Sequence, residues 1–589
     1  MRQSLLFGLG VIAASGAGAI ACRRTSLLPR SDGAAVVVAP AAPAGDQGVA
    51  FAPEIEPNDT LPAAQKLTFD AALTPIGING HLEPPTGKSH DVDLFRLTIA
   101  PAPGNDAPVA ADALPALLRR RLSVTVEPEP GLAVIVDALD DQGQTLIAAG
   151  GAGPGETDGF PNLTVAPGVY FVRVRAASAS SSGGYRLVAR LFPLENGEER
   201  EPNGKAALAS DAPATGELVG YHGWRHDQDW YRVALAGVPE GSVLGVDLEA
   251  VPGVAASLLV FDAAERKLVE SRGRGDERVA VRNVKIAAGD PQLYVVVRTD
   301  AGRSDSVRYD LRLRTELPKT GSELEPNDDP AHAQTIADGE TLGFLGRGDI
   351  DVYRYAAPPT PAELDIELAP PERVDAKLEV LRAADDHQMG TLGRFPNPPA
   401  TDSARAKPEL RPRELLLVRA DAGKRHEAER IPNLFSPGGG ALLIRLSAGK
   451  SDGNTDEPYR LTISSRAPEP GAEHEPNATT ATATALPVGL AGNGLIFPRG
   501  DVDVWKTALP AGAASATVTV TGVAGLILDV RVLAADEHEL RRFKVAGATP
   551  IPTAVVTSGS GCCLVQIRDA SAKSAAPNPR DRYTLTVAP

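Results

Sequence analysis

One short pattern, E-x-E-P-N, occurs four times in this chain and constrains its fold more than any other feature. The second glutamate of the pattern falls at Glu56, Glu201, Glu325 and Glu475, so successive copies lie 145, 124 and 150 residues apart. These spacings are far longer than a solenoid unit, and each is long enough for a separate hydrophobic core. The sequence therefore predicts four domains that share one fold.

A second pattern, D-x-D followed by aromatic and basic residues, comes after each copy of the first. The D-x-D of the first copy leads into Phe95, Leu97 and Ile99, which alternate with polar residues. Such alternation is typical of a half-buried strand. The paired aspartates share the phase of the apolar face, so we expect them at the strand's entrance, where the inward side meets the sandwich edge.

The rest of each repeat contains short apolar runs separated by turns, and each repeat closes on a Tyr-x-Leu strand such as Tyr185-Arg186-Leu187. The chain has 58 Gly and 51 Pro and no sustained helical period, which favours many short strands. The predicted fold class is all-β, with four tandem jelly-roll-like β-sandwich modules. We number them module 1 (52–192), module 2 (193–316), module 3 (317–466, with an insertion at about Gly390 to Arg413) and module 4 (467–589).

The N-terminal residues predict export. Residues 1–21 read as a signal peptide, because the apolar run is short and rich in small residues. Cys22 follows Ala19-Ile20-Ala21 as in a bacterial lipobox, so lipidation at Cys22 and anchoring to the outer membrane or cell surface are expected; ordinary cleavage and secretion is the alternative. Residues 22–51 are rich in Ala, Pro and Gly and predict a flexible tether.

The other two cysteines, Cys562 and Cys563, are adjacent. Consecutive strand residues point to opposite faces, so a bond between them would be a strained vicinal disulfide, and small packed strand residues are the other interpretation. Two cysteines in four modules cannot form a disulfide framework. The modules must then be stabilised by their cores, by metal, or by both.

The formal charge of the chain is −16. A general nucleic-acid-binding face needs clustered Lys and Arg, so this class of partner is not expected.

Taken together, the E-P-N opening, the D-x-D-aromatic strand, the Asp-rich turn and the closing Gly-x-Tyr and Tyr-x-Leu strands resemble the bacterial pre-peptidase C-terminal domain. That family is similar to the collagen-binding domains of clostridial collagenases. The resemblance covers all four modules and implies that the two patterns hold calcium. Carried over residue by residue, the implied metal ligands are Glu54, Glu56, Asn58, Asp59, Asp91, Asp93, Glu199, Glu201, Asn203, Asp227, Asp229, Glu323, Glu325, Asn327, Asp328, Asp349, Asp351, Glu473, Glu475, Asn477, Asp501 and Asp503.

The chemistry of these residues agrees with that implication, because Ca²⁺ takes about six to eight hard oxygen ligands. Zinc prefers His and Cys, which do not recur here. A different interpretation makes Glu-Pro-Asn a turn in which Asn58 or Asp59 caps a short helix through Leu61 to Gln65. If calcium binds, we expect a structural role between domains and no catalytic one.

No catalytic residues are predicted. The one literal G-x-S-x-G, at Gly449 to Gly453, lies between two predicted strands and is expected to be a hairpin loop, whereas a nucleophile elbow joins a strand to a helix. The expected function is a non-catalytic, calcium-binding, secreted or surface-anchored protein whose partner is an extracellular protein or polysaccharide. The alternatives are an accessory or targeting subunit of a separately encoded secreted peptidase or other hydrolase, and an unrecognised hydrolase that uses Ser451 or a carboxylate pair.

Overall fold

The alternating apolar residues form pairs of facing β-sheets, so the predicted all-β class of tandem β-sandwiches is confirmed. The computed structural model describes residues 48–84, 90–100, 119–178, 181–195, 197–275, 277–382, 415–421, 423–449, 451–498, 500–557, 563–571, 578 and 580–589. The predicted signal peptide, Cys22, most of the predicted tether, Cys562 and the predicted insertion in module 3 lie outside those residues.

Module 1 has two five-stranded sheets. In spatial order, the first consists of β1 (Phe51–Pro53), β3 (Ile76–Leu82), β10 (Gly183–Pro193), β5 (Arg120–Pro128) and β8 (Asp158–Val165). The second consists of β2 (Gln65–Thr68), β4 (Val92–Ile99), β9 (Gly168–Ala176), β6 (Val134–Leu139) and β7 (Thr145–Gly150). The β1/β3 and β2/β4 pairs are parallel and the other pairs are antiparallel. Phe51, expected at the end of the tether, begins the first strand.

Module 2 repeats this arrangement with one strand fewer. Its four-stranded sheet is β12 (Gly216–His222), β19 (Ser304–Glu316), β14 (Val243–Leu248) and β17 (Val279–Lys285). The five-stranded sheet is β11 (Ser210–Ala212), β13 (Gln228–Ala234), β18 (Gln292–Ala301), β15 (Ala255–Phe261) and β16 (Lys267–Arg272).

Modules 3 and 4 have the same two sheets as module 2. In module 3 they are β21 (Gly339–Leu345), β28 (Asn454–Arg466), β23 (Ala362–Ala369) and β26 (Glu429–Ser436), facing β20 (Gln334–Ile336), β22 (Ile350–Ala356), β27 (Ala441–Ala448), β24 (Ala376–Arg382) and β25 (Leu415–Ala420). In module 4 they are β30 (Gly492–Gly494), β37 (Tyr583–Ala588), β32 (Ser515–Thr521) and β35 (Ile551–Val556), facing β29 (Thr484–Ala485), β31 (Val502–Lys506), β36 (Leu564–Asp569), β33 (Ile527–Leu533) and β34 (Glu539–Ala546).

Each pair of sheets encloses its own hydrophobic core. The inward residues of the D-x-D strand lie in these cores, among them Phe95, Tyr231, Tyr353 and Trp505, all essentially without solvent exposure. Four cores of this kind agree with the four predicted modules. The residue boundaries of those modules remain predictions, since residues from Gly48 to Pro589 form one compact unit.

Helix is nearly absent from the part of the chain that the structure describes. It contains one 3₁₀ helix, η1 (Ala206–Leu208), and no α-helix. Residues 61–63 form a turn and β2 starts at Gln65, so the capped helix through Leu61 to Gln65 does not form. Within the described ranges, no helix is long and apolar enough to cross a membrane.

The loop that contains Ser451 is not a hairpin, and that prediction was wrong. Its flanking strands, β27 and β28, belong to different sheets, so the loop crosses from one face of the sandwich to the other. Sequence reasoning failed here because two adjacent strands in a sandwich can pair with partners far away in the chain instead of with each other. The Ser451 hydroxyl donates to its neighbour Asp452 at 3.1 Å.

Cys563 is buried in the core of module 4 and takes part in a disulfide. Cys563 is thus both buried and disulfide-bonded, and it lies just before β36, so the interpretation as a small packed strand residue without a disulfide does not hold for it. The other two cysteines of the chain lie outside the described residues.

Candidate metal centres

The E-x-E-P-N segment of every module bridges one strand of each sheet. In module 2, the N–H of Glu199 donates to the Val219 carbonyl of β12 at 2.9 Å, and the Asn203 carbonyl accepts from Trp230 of β13 at 3.2 Å. Equivalent bonds join Glu54 to Asn79 and Leu94 to Asn58, Glu323 to Leu342 and Val352 to Asn327, and Glu473 to Asn493 and Val504 to Asn477. The Glu-Pro peptide bond is cis in all four copies. The motif therefore lies at the edge where the two sheets meet, next to the D-x-D strand.

The glutamates and aspartates of the two patterns converge there, as the sequence predicts. One carboxylate oxygen from each member of every group lies within 4.8 Å of the others. The groups are Glu54, Glu56 and Asp93; Glu201, Asp227 and Asp229; Glu323, Glu325 and Asp351; Glu325, Asp328 and Asp349; and Glu473, Glu475 and Asp503. Residues more than twenty positions apart in sequence thus meet at one point in each module.

The remaining predicted ligands lie beside these groups. Asp91, Glu199 and Asp501 accept backbone N–H bonds from Glu83, Tyr221 and Phe497 respectively, which orients their side chains. Asp59 is exposed and outside the module 1 group, whereas its counterpart Asp328 joins Glu325 and Asp349. The acidic residue after Asn therefore joins a three-carboxylate group in module 3, whereas in module 1 it contacts Asp91.

Module 1 differs from the other modules in solvent access. Glu54 is half-buried and Glu56 is exposed, whereas the corresponding glutamates of modules 2, 3 and 4 are all buried. The second aspartate is fully buried in every module. The module 1 site is consequently open to water, and the groups around Asp229, Asp351 and Asp503 are enclosed, whereas Asp328 of the second module 3 group is exposed.

Many oxygen atoms in these clusters have no hydrogen-bond partner among the described residues. Asn203, Asn327 and Asn477 are fully buried, and neither side-chain atom of any of them is paired. Unpaired carboxylate or amide oxygens in the clusters also include Asn58 Oδ1, Asp93 Oδ1, Glu201 Oε1, Asp227 Oδ1, Asp229 Oδ1, both Asp351 oxygens, Glu473 Oε2, Glu475 Oε1 and both Asp503 oxygens. Buried polar groups are normally satisfied, and leaving them unpaired costs about 1–3 kcal/mol each. A bound cation would pair these oxygens.

Burial and mutual repulsion perturb the acidity of the clustered carboxyl groups. Burial raises the pKa of Asp93 to about 9, with a further contribution from Glu54. Burial and the charge of Glu199 raise the pKa of Glu201 to about 8, and burial raises the pKa of Glu475 to about 7. The pKa values of Asp229, Asp351 and Asp503 are raised by burial and by neighbouring carboxylates. In the absence of a cation, these groups favour their protonated forms.

Sequence reasoning missed the closing tyrosine as part of the site. The Tyr309 hydroxyl contacts Glu199 Oε2 at 2.9 Å and Asp229 Oδ2 at 2.8 Å, and the Tyr459 hydroxyl contacts Glu323 Oε2 at 3.1 Å. In module 1 the Tyr185 hydroxyl donates to Asp93. The Tyr-x-Leu motif therefore has a polar role, because its tyrosine reaches from the core to the carboxylates.

A glycine lies opposite that tyrosine in every module and was also missed. The paired residues are Gly80 and Tyr185, Gly220 and Tyr309, Gly343 and Tyr459, and Gly494 and Tyr583. A Cβ atom at any of these glycines would overlap the tyrosine ring, and at the last three also the first glutamate of the motif. A glycine recurs shortly before each D-x-D, so the sequence contained a signal by which this residue could have been found.

The donor set fits calcium. Every centre offers only carboxylate and amide oxygens, which are hard ligands, and calcium accepts irregular arrangements of about six to eight of them. No His or Cys belongs to any acidic group found in the described residues. The same residues would hold Ca²⁺ as a structural ion, with Asp and Glu supplying charge and Asn an additional oxygen.

No model of a protein family matches the sequence, and no curated protein matches it. Among solved structures, the chain is similar to the CUB1-EGF-CUB2 domain of human MASP-1/3 (10% identity, 40% of this chain, 99% of that chain, TM-score 0.13). It is also similar to the CBM22-1-CBM22-2 tandem domain of Paenibacillus barcinonensis Xyn10C (9%, 40%, 82%, TM-score 0.12) and to a biofilm associated protein BSP domain (10%, 82%, 96%, TM-score 0.13). These TM-scores are too low to indicate a shared function, and the resemblance to pre-peptidase C-terminal domains stays a prediction.

Proposed function

We propose that this protein is a non-catalytic, calcium-binding array of β-sandwiches that displays an interaction surface outside the cytoplasm. The observation that carries the calcium assignment is the set of buried, unpaired carboxylate and amide oxygens that recurs beside the acidic groups in all four modules. A turn or a helix cap would satisfy its own oxygens and would not need them at four equivalent places.

The proposed role of the ion is structural. The ligand-bearing motif lies between the two sheets of its own module and, in modules 2 to 4, also pairs with the preceding module. Extracellular calcium modules have dissociation constants of about 10⁻⁴ to 10⁻³ M, so a tenfold excess of calcium adds about 1.4 kcal/mol per site. Calcium would then order the contacts between successive modules, which we call joints, and stiffen the array. A stiff array would present its surface to an extracellular protein or polysaccharide.

Calorimetric titration of the chain starting at Arg23 tests the assignment. We expect about four calcium ions to bind per chain, with the open module 1 site the easiest to strip with chelator. Because calcium must displace protons from Glu475, Glu201 and Asp93, whose pKa values are raised to about 7, 8 and 9, affinity should increase between pH 6 and pH 8. Magnesium is the control ion, since it demands a smaller octahedral site. A titration without heat, and melting curves that superimpose in calcium and chelator, would remove the proposal.

We further propose that the protein is exported and anchored through a lipid on Cys22. The support is the signal-like sequence before that cysteine. Cells that express the native chain and a Cys22→Ala variant should differ in where the protein is found: the native chain with membranes, and the variant in soluble or secreted fractions. Equal membrane association of the two chains would contradict anchoring at Cys22.

A further inference from the structure

The E-x-E-P-N motifs of modules 2, 3 and 4 lie at the joints between successive modules. The second glutamate of each motif forms a parallel bridge with an edge strand of the preceding module, pairing Leu163 with Glu201, Val284 with Glu325, and Leu434 with Glu475. The carbonyls of these glutamates accept N–H bonds from Thr164, Lys285 and Phe435 at 2.9, 2.8 and 2.8 Å. Backbone pairing of this kind sets the position of the ligands relative to the neighbouring sandwich.

Two joints also carry a side-chain contact that reaches the carboxylates. Asn162 of module 1 donates its Nδ2 to Glu199 of module 2, and Asn433 of module 3 donates its Nδ2 to Glu473 of module 4. Both asparagines are 1% exposed, and each immediately precedes the bridged leucine of its strand. The asparagine before the bridged leucine therefore donates to the first glutamate of the next module in two separate joints.

In module 1, the amide that donates to the first glutamate belongs to the module's own motif, since Asn58 Nδ2 donates to Glu54 Oε1 at 2.6 Å. In modules 2 and 4 the neighbour supplies that donor, and the motif's own Asn203 and Asn477 have both side-chain atoms unpaired within the described structure. Asn327 of module 3 is unpaired as well, so the neighbour's amide is not what frees the motif's asparagine; what it adds in modules 2 and 4 is a donor that holds the first glutamate in place.

Among the described residues, no such side-chain contact reaches the first glutamate at the joint between modules 2 and 3. Asn283 occupies the corresponding position, but its backbone has a positive φ of 51° and its carbonyl accepts the N–H of Glu325 at 3.0 Å. Glu323 accepts from Phe344 N–H and the Tyr459 hydroxyl of its own module, the same two contacts that Glu199 has in module 2 besides the amide. This joint provides an internal comparison.

We propose that Asn162 and Asn433 are positioning residues of the metal centres in the following modules, so that calcium binding there and the alignment of the joined sandwiches stabilise each other. The inference rests on the proposed function. Coupling between a binding equilibrium and a conformational one is reciprocal, so loosening the joint weakens calcium binding and removing calcium loosens the joint. Partners that orient metal ligands typically change affinity by about 10–100-fold when they are removed.

The test uses the full chain in backgrounds that keep one centre each. Asp93→Asn, Asp349→Asn, Asp351→Asn and Asp503→Asn together leave the module 2 centre, since module 3 has two acidic groups. Calcium affinity is measured by calorimetry with Asn162 intact or replaced by Ala or Asp. We expect about tenfold weaker binding for Asn162→Ala. Asn162→Asp should be weaker still, because its carboxylate would not only fail to donate to Glu199 but also repel it. X-ray scattering in calcium should show a broader distribution of interatomic distances for both variants.

The matched control is Asn283→Gly in a background that keeps the module 3 centre, since glycine retains the positive φ and removes only the side chain. It should leave calcium affinity unchanged, and Asn433→Ala should weaken the module 4 centre as Asn162→Ala weakens module 2. Unchanged calcium affinity for both Asn162→Ala and Asn433→Ala, in chains that do bind calcium, would overturn this inference and leave the calcium proposal standing. Failure of the unsubstituted chain to bind calcium would overturn both.

Discussion

Replacing Gly220 by alanine should destabilise module 2 strongly and abolish its metal centre. The added Cβ would meet the ring and hydroxyl of Tyr309 and Glu199 Oε2, all buried. Neither group can move aside freely, because the Tyr309 hydroxyl also bonds Asp229 and Tyr231. Overpacking a core of this kind costs about 3 kcal/mol, and each kcal/mol lowers the melting temperature by roughly 4 °C in a domain of this size.

The control for that substitution is Gly245→Ala in the same module. A Cβ at Gly245 would have no atom closer than 3.9 Å, from the Val281 carbonyl oxygen, so alanine fits without displacement. Differential scanning calorimetry of the two variants measures stability, and calcium titration measures the number of sites. Equal melting of the two variants, or an unchanged number of calcium ions in Gly220→Ala, would refute the role assigned to the glycine.

Replacing Asp503 by asparagine should have opposite effects on stability with and without calcium. Burial raises the pKa of Asp503, and the charges of Glu473 and Glu475 raise it further. Without a cation, this carboxyl stabilises the fold at low pH, and that stability is lost as pH rises from the unfolded value towards the folded one, at about 1.4 kcal/mol per pH unit. Asparagine is neutral throughout, so in chelator at pH 7 the variant should melt several degrees higher than the native chain. In calcium the order should reverse, because the variant loses a charged ligand.

Asp529 of the same module provides the matched control. It is equally buried, but Arg542 Nε and Arg568 Nε pair its two oxygens at 2.7 and 2.9 Å, and these contacts hold the pKa of its carboxyl below the usual value. Asp529→Asn should therefore lower the melting temperature in chelator and in calcium alike. If Asp503→Asn also destabilised the chain under both conditions, the Asp503 carboxylate would belong to the fold and not to a cation site.

The sequence by itself determined the number of sandwiches and most of the carboxylates that form the candidate metal centres. Each copy of the motifs, the alternation after each D-x-D and the oxygen-only ligand types can be recognised within a short stretch of sequence, and the structure places the predicted strand around Phe95 and the buried Asp93 accordingly. Local patterns suffice for these features because strand formation and side-chain direction depend on neighbouring residues.

Only the tertiary structure decided how the centres are completed. Tyr309 and Gly220 are 89 residues apart and meet through strand pairing, and Asn162 meets Glu199 across a joint between modules. Likewise, β27 and β28 adjoin in sequence but lie in different sheets, which is why the hairpin expected at Ser451 does not form. Strand register and sheet membership are set by which distant apolar faces pack together, and no short stretch of sequence contains that information.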